Sequence, residues 1–293
     1  MNSVKEYAYA KINLYLDVIS KRDDGFHDIK TVMHTVSLAD EITVTVKPAS
    51  KSEIRLTLGG NNKIPQDSRN LAYRAAELFL SSALMQLEVS IKLDKHIPVA
   101  AGLAGGSADA AAVLRALNRI CKKPFTEKKL LSLAAELGSD VPFCLLGGTA
   151  LCLGRGERIE RLPDKLSLHT VVAIADEHVS TPAAYASLDE IFEDFKVGRT
   201  DDPEAHYVAI KTSLENGKLD NRELYNIFEN AVFPICSGAE LLKSKMKELG
   251  ATHSLMSGSG PSVFGIFSDA DTAAKARDAL LADGFRAFTA HSI

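Results

Sequence analysis

The stretch Pro98-Val99-Ala100-Ala101-Gly102-Leu103-Ala104-Gly105-Gly106-Ser107-Ala108 sets three glycines and a serine ahead of an alanine-rich helical pattern that continues through Val113, Leu114 and Leu117. Glycine lets the backbone turn tightly and aim several N–H groups at one point, and a helix start adds partial positive charge there. Such a cradle holds an anion, most often a nucleotide phosphate. The loop departs from two commoner phosphate templates. It lacks the Lys-Ser/Thr pair that closes a Walker A loop, and its spacing is not G-x-G-x-x-G. A plain glycine turn before a tightly packed alanine helix is the alternative.

Phosphoryl transfer also needs positive charge, a metal ion and a group that orients or deprotonates the acceptor hydroxyl. Lys11 stands inside the apolar strand pattern Tyr9-Ala10-Lys11-Ile12-Asn13-Leu14. It is either a functional charge or an edge-strand lysine facing solvent. Asp140 follows a helix end and precedes Pro142, a place for a helix cap or for a catalytic base. His27, after the turn at Gly25-Phe26, is a solvated loop histidine or an imidazole that reads the edge of a nucleobase. The turn Ser257-Gly258-Ser259-Gly260-Pro261-Ser262 is a tight hairpin or a second set of backbone donors closing over a substrate.

Composition narrows the class. A chain of 293 residues, 46% hydrophobic and 25% charged, has material for two domains with buried cores. A net charge of −4 excludes nucleic-acid binding that relies on global positive charge, though not a nucleotide site. Cys121, Cys144, Cys152 and Cys236 form no C-x-x-C pair, which argues against zinc and a disulfide framework. No cluster of metal-ligating residues stands out. The first residues lack the apolar core of a signal peptide, and no apolar run is long enough to span a bilayer. A soluble, cytoplasmic protein is expected, with no membrane or nucleic-acid partner.

Periodicity then places the elements. Strands are predicted over 6–19, 31–47 and 53–58, the last closing at Gly59-Gly60 as a hairpin strand would. A helix over 70–81, a strand over 87–93 and a helix over 107–119 follow. Thr126 caps a further helix that stops at Gly138, and a strand covers 149–153. The second half reads as a strand over 169–175 and a helix from Thr181-Pro182. A polar stretch near 195–220 and a long helical region up to Leu249 come next. Two strands around the Gly/Ser turn, a helix bearing Ala273, Ala276, Leu280 and Leu281, and a strand over 285–290 complete it. Strands with helices laid on one face predict an α+β sandwich in each half, divided near 155–160 into residues 1–158 and 159–293.

Taken together, Ala10 to Leu14, Pro98 to Ala112 and Ser257 to Phe264 resemble, in order and spacing, three motifs of the GHMP kinases. Lys21 to His27 and Ser139-Asp140-Val141-Pro142-Phe143 are similar to the branch acting on a cytidine diphosphate-linked methylerythritol. The resemblance implies ATP-dependent phosphorylation of the C2 hydroxyl of that small molecule, with Mg²⁺ as the accompanying ion. It implies an N-terminal domain like ribosomal protein S5 domain 2 with a left-handed βαβ unit, a ferredoxin-like C-terminal domain, and an active site in the cleft between them. By position it implies Asp140 as base with Lys11 as its partner, and residues 98–108 as the ATP loop, with Asn70 and Lys95 lining the adenine pocket. His27, Phe26 and Tyr185 then meet the cytosine, and Asn13 and Asp140 the substrate. Where relatives often carry Gly-Leu-Gly-Gly-Gly-Ser-Ser, this chain has Ala104 and Ala108. Ala104 permits a close approach at negative φ, and Ala108 leaves Ser107, ATP oxygens and water to hold the metal. A mevalonate-type kinase and a non-catalytic nucleotide sensor on the same fold are the alternatives.

Overall fold

Two strands longer than the rest organise the chain: β1 (Asn2–Lys21) and β2 (His27–Pro48). The computed structural model describes residues 2–59, 64–163, 165–177, 179–192 and 203–293, so that Gly60 and the start of the expected polar stretch lie outside the described residues. The chain forms two compact units and passes between them repeatedly. Residues up to Ala10, Ala39–Val99 and Ala104–Gly147 make the first; Lys11–Leu38, Ala100–Leu103 and Gly148–Ile293 make the second.

In the first unit, β3 (Glu53–Gly59) is followed by α1 (Leu71–Ala83) and β4 (Leu87–Asp94). The later half of β2 pairs antiparallel with β4, Ile42 opposite Leu93 and Val44 opposite Ile91. β3 lies parallel to β4. Residues 53–58 do form a strand, yet not a hairpin strand: parallel neighbours cannot be joined by a tight turn, and α1 carries the chain back. Asn70 starts α1 by accepting the Ala72 N–H at 2.9 Å. The inner face of α1 presents Ala72, Ala75, Ala76, Phe79 and Leu80. Then come α2 (Gly105–Ile120), α3 (Glu127–Leu137) and α4 (Val141–Leu146). The run of alanines in α2 is buried, small side chains letting α1 and α2 pack closely, with Leu114, Leu117 and Phe79 filling the core.

The second unit adds β5 (Thr149–Gly154), β6 (Arg158–Arg161), β7 (His169–Ile174), α5 (Thr181–Ile191), α6 (Pro203–Glu215), β8 (Tyr225–Asn226), α7 (Glu229–Val232), α8 (Ser237–Glu248), β9 (His253–Met256), β10 (Ser262–Phe267), α9 (Ala270–Ala282) and β11 (Arg286–His291). The first half of β2 pairs with β5, and β8 lies parallel to Tyr15-Leu16 of β1. The other sheet has the order β11-β7-β10-β9, all antiparallel. Read as β7-α8-β9-β10-α9-β11, it is the split βαβ arrangement of a ferredoxin-like domain. The polar stretch contains a helix, α6, that composition alone did not reveal. The long helical region before Leu249 is broken, because Tyr225-Asn226 pairs with β1 in place of continuing a helix. No helix among the described residues is long and apolar enough to cross a membrane.

His34 ties the second unit's sheets to its C-terminus: Nδ1 lies 2.8 Å from Thr149 Oγ1 and Nε2 lies 2.8 Å from Ser292 Oγ. Burial lowers its imidazole from 6.5 to about 4, so the folded protein resists a proton that the unfolded chain accepts. The stabilisation is complete above the unfolded value and is lost as pH falls towards the folded one, amounting to about 2 kcal/mol by a pH of about 5. Urea unfolding of His34→Gln is expected to show a flatter decline across this window. A decline equal to the parent's would place the acid sensitivity elsewhere.

Candidate active site

Lys11 lies in the middle of β1 and is only 4% exposed, so the solvent-facing alternative is overturned. An ammonium stays in such a place only when its protons find oxygens. Lys11 Nζ donates to Asn13 Oδ1 at 2.6 Å and to the Gly102 carbonyl oxygen at 3.0 Å. The i, i+2 spacing on one strand face makes the Lys11–Asn13 bond local. Asn13, 1% exposed, works harder than a single substrate contact requires. Its Oδ1 also accepts the Gly258 N–H at 2.9 Å, and its Nδ2 donates to Thr31 Oγ1 at 2.8 Å. Thr31 in turn donates to the Tyr15 carbonyl at 2.6 Å.

The two glycine-bearing turns meet around this ammonium. Gly102 has φ +75°, and a Cβ there would fall 2.2 Å from the Ser257 carbonyl oxygen. A Cβ on Gly258 would lie 2.9 Å from the Gly102 oxygen and 3.3 Å from Lys11 Nζ. Ser257 Oγ donates to that same Gly102 oxygen at 3.2 Å, and Ser262 Oγ donates to the Ala101 carbonyl. Asn226, not singled out from sequence, fixes the second turn by donating to the Met256 and Gly258 carbonyls at 2.7 and 2.8 Å. A lone Asn after Tyr225 carries no pattern that would have revealed this.

At the start of α2, the N–H groups of Gly105, Gly106 and Ser107 precede the first intrahelical bond, from Ala108 N to the Ala104 oxygen. No side chain caps this end. Ala104 itself sits at φ +56°, so the negative φ on which its close approach was made conditional is not met. Ala100 is also left-handed, at φ +54°. Each costs about 1–2 kcal/mol that glycine would not. Of the remaining loop residues, Ala101, Leu103 and Ala108 are buried and Val99 is exposed.

Beneath the same helix start, Lys95 pairs with Asp40 and, at 2.8 Å, with Asp109 of α2. A Cβ on Gly105 would meet Ile97 Cγ2 at 3.0 Å and Lys95 Nζ at 3.2 Å, so a side chain there would press on both. Asp40 also accepts the His96 and Ile97 N–H groups at 2.5 and 2.7 Å. Burial pulls the Lys95 amine down, but the Asp109 and Asp40 carboxylates outweigh it and raise it above its ordinary value. Burial raises the Asp109 carboxyl, against the opposing pull of Lys95. Asn70 and Lys95, expected to line an adenine pocket, thus have their polar ends engaged, Asn70 Nδ2 donating to the Pro65 carbonyl at 2.8 Å.

Asp140 occupies the N-cap position of α4, yet its carboxylate makes no capping bond, so the cap alternative fails. Asp140 belongs to the first unit and Lys11 to the second. Pro142 stands in the first turn of α4.

The turn after β1 is set by Gly25 at φ +82° and by Arg22, whose N–H reaches the Phe26 carbonyl at 2.8 Å. It leaves Phe26 51% exposed, beneath the Arg155 guanidinium at 4.8 Å. His27 is 8% exposed; its ring stacks on Tyr185 at 4.6 Å and 21°. Asp189, missed from sequence, meets His27 Nε2 at 2.7 Å and Lys21 Nζ at 2.6 Å. Burial pushes the Asp189 carboxyl up, but the bonds from Lys21 and His27 prevail and hold it below the usual range. A groove of about 420 Å³ at this turn is lined by Lys21, Arg22, Asp23, Asp24 and Asp28. Three carboxylates against two cations suit it poorly to a phosphate.

A buried lysine held on a glycine turn, and a helix whose first N–H groups carry no side-chain cap, are each features suited to phosphoryl groups. Family models agree: GHMP kinases N terminal domain matches residues 70–148 and GHMP kinases C terminal matches 209–286. The chain belongs to the GHMP kinase family. The 4-diphosphocytidyl-2-C-methyl-D-erythritol kinase of Caldicellulosiruptor saccharolyticus is 42% identical over 93% of this chain and 91% of its own length. That of Bacillus cytotoxicus is 42% identical, covering 88% and 86%. A crystal structure of 4-(cytidine 5'-diphospho)-2C-methyl-D-erythritol kinase superposes with a TM-score of 0.79 at 36% identity, covering 98% of each chain. Methanococcus jannaschii mevalonate kinase, at 10% identity and a TM-score of 0.71, shares the fold.

Gly102→Ala is expected to destabilise the second unit by about 1–3 kcal/mol through overpacking, with a further 1–2 for the left-handed φ. A melting temperature equal to the parent's would show that the two turns can separate without cost. Asp40→Asn, which weakens a carboxylate holding three donors, should cost about 3 kcal/mol, whereas Asp109→Asn should stay within about 1 of the parent. Equal losses in urea would mean that the two carboxylates share Lys95 evenly.

Proposed function

We propose that this chain is a 4-diphosphocytidyl-2-C-methyl-D-erythritol kinase, moving the γ-phosphoryl group of ATP to the C2 hydroxyl of that molecule in the non-mevalonate route to isoprenoid precursors. The observation that carries this is 42% identity, over 93% of the chain, to a protein of that name. The phosphates of ATP are assigned to the Gly105–Ser107 end of α2, where N–H groups and helix dipole favour anions. The Lys11 ammonium, pre-positioned by Asn13 and Gly102, offsets charge that develops on the transferring group. The acceptor is a tertiary alcohol and a poor nucleophile. Asp140 takes its proton as the new O–P bond forms and the bond to the β-phosphate breaks, releasing ADP.

Among the described residues no group of three or more His, Cys, Asp or Glu side chains is placed to hold a metal ion. The donor set therefore fits Mg²⁺ only as an ion carried on the phosphates, with Ser107 as the hydroxyl that could join it. Bound there, it would screen phosphate charge. Asn70 and Lys95 border the adenine, while His27 meets the cytosine edge and Phe26 and Tyr185 its faces. Asn13 adds a polar contact. A division near 158–159 falls in the stretch between the matches at 70–148 and 209–286, whereas the compact units interleave along the chain. A cytoplasmic location accords with four cysteines of which none is in a disulfide. The reaction calls for no nucleic acid and no membrane.

ADP release should be measured with ATP and each of the cytidylylated methylerythritol, mevalonate and homoserine. The cytidylylated acceptor should be much the best, and Asp140→Asn should lower kcat by about 10²-fold or more. His27→Ala should raise KM for the cytidylyl substrate about tenfold and leave that for ATP unchanged. Preference for free mevalonate would move the chain to another branch of the family. ATP binding without turnover would make it a sensor.

A further inference from the structure

The His27 imidazole is gripped by one helix. Ser180 starts α5 by accepting the Ala183 N–H at 3.3 Å, and Ala184 and Leu188 on the buried side of the helix pin it to the second unit's core. Tyr185 and Asp189, four residues apart, then share a face of α5. Tyr185 covers the imidazole plane at 4.6 Å and is itself braced edge-on by Phe228 at 4.8 Å and 86°. Asp189 Oδ1 meets the ring edge at 2.7 Å from Nε2. One residue fixes the plane and the other the rotation within it.

A carboxylate held ionised accepts hydrogen bonds and offers none, so the proton at this contact belongs to His27 Nε2. Burial decides which of Asp189's two partners matters. The Lys21 side chain is 56% exposed and its pair is weakened by solvent, whereas the His27 side chain is 6% exposed and its bond is shielded.

We infer that Asp189 is a positioning residue for nucleobase recognition: it locks the ring orientation of His27 and its Nε2–H tautomer, and Tyr185 on the same helix completes the clamp. The inference rests on the proposal that His27 meets the cytosine. An imidazole with one fixed proton offers a base a single donor–acceptor pattern. One that can flip, or exchange tautomers, offers both patterns and discriminates less between cytosine and uracil, whose edges differ in those groups.

Asp189→Asn tests this without removing volume, because an amide can accept from Nε2–H or donate to a bare Nε2. Its KM for the cytidylyl acceptor should rise about tenfold, its preference over a uridylyl analogue should fall, and kcat and the KM for ATP should stay within about twofold. Nitrogen-15 spectra of labelled histidine should show His27 passing from a pure Nε2–H signature to a mixture. Asp189→Ala should show the same pattern more strongly, and Lys21→Met should show neither effect. A pure Nε2–H signature and parental KM in both Asp189 variants would overturn the inference, as would equal effects from Lys21→Met. If His27→Ala leaves the cytidylyl KM unchanged, the cytosine-site proposal fails instead, while the histidine spectra still decide whether Asp189 sets the tautomer.

Discussion

A single buried ammonium draws two distant turns of this chain together. Lys11 interrupts an otherwise apolar strand, and oxygens from a strand amide and a loop carbonyl converge on it to offset its desolvation. The demand propagates outward. The Gly102 carbonyl must face inward, which puts its residue in left-handed backbone and leaves no room for a side chain. Asn13 must present its oxygen to the lysine, so its nitrogen must find Thr31. Ser257 and Gly258 must arrive close enough to add their donors. The glycines and the small hydroxyls in these turns are thus consequences of one charge placed where hydrocarbon would be easier.

The second buried lysine obeys a different rule. Lys95 is matched by two carboxylates, leaving one excess negative charge below the helix start assigned to phosphates. Burial relieves this by favouring the protonated form of Asp109, the partner with fewer donors. Asp40, bonded to two backbone N–H groups as well, carries the structural share. The two lysines therefore serve distinct ends. Lys11 bonds an amide oxygen and a carbonyl oxygen where two turns meet; Lys95 is salt-bridged and fixes a frame.

Much of the frame was legible in the sequence because it rests on local signals. Asn70, Thr126 and Ser180 cap the helices that their neighbours' periodicity predicts, and the alanine run before Val113 folds into a close-packed helix. The two glycine motifs and Lys11 stood out as candidates because each contradicts its surroundings. What escaped is non-local. Residues 53–58 alternate like any half-buried strand, and nothing in them tells a parallel partner from a hairpin one. Asn226 ends a helical pattern only because β1 supplies a pairing partner more than two hundred residues away in sequence. Asp189 reads as one more acidic residue on an amphipathic helix until His27 is set beside it. Ala104 in left-handed backbone defies propensity outright.

The most separated of these bonds has a consequence for how the protein is made. Gly258 and Asn13 are 245 residues apart, and Ser257 and Gly102 are 155 apart, yet both pairs frame the same ammonium. During synthesis the first strand and the first glycine loop leave the ribosome long before the segment that finishes their surroundings. Until then Lys11 has only its nearest acceptors and stays better hydrated than buried. Such high contact order delays assembly and exposes strand edges to wrong partners. The surroundings of this ammonium are therefore completed only when the Ser257–Gly258 turn arrives, late in synthesis.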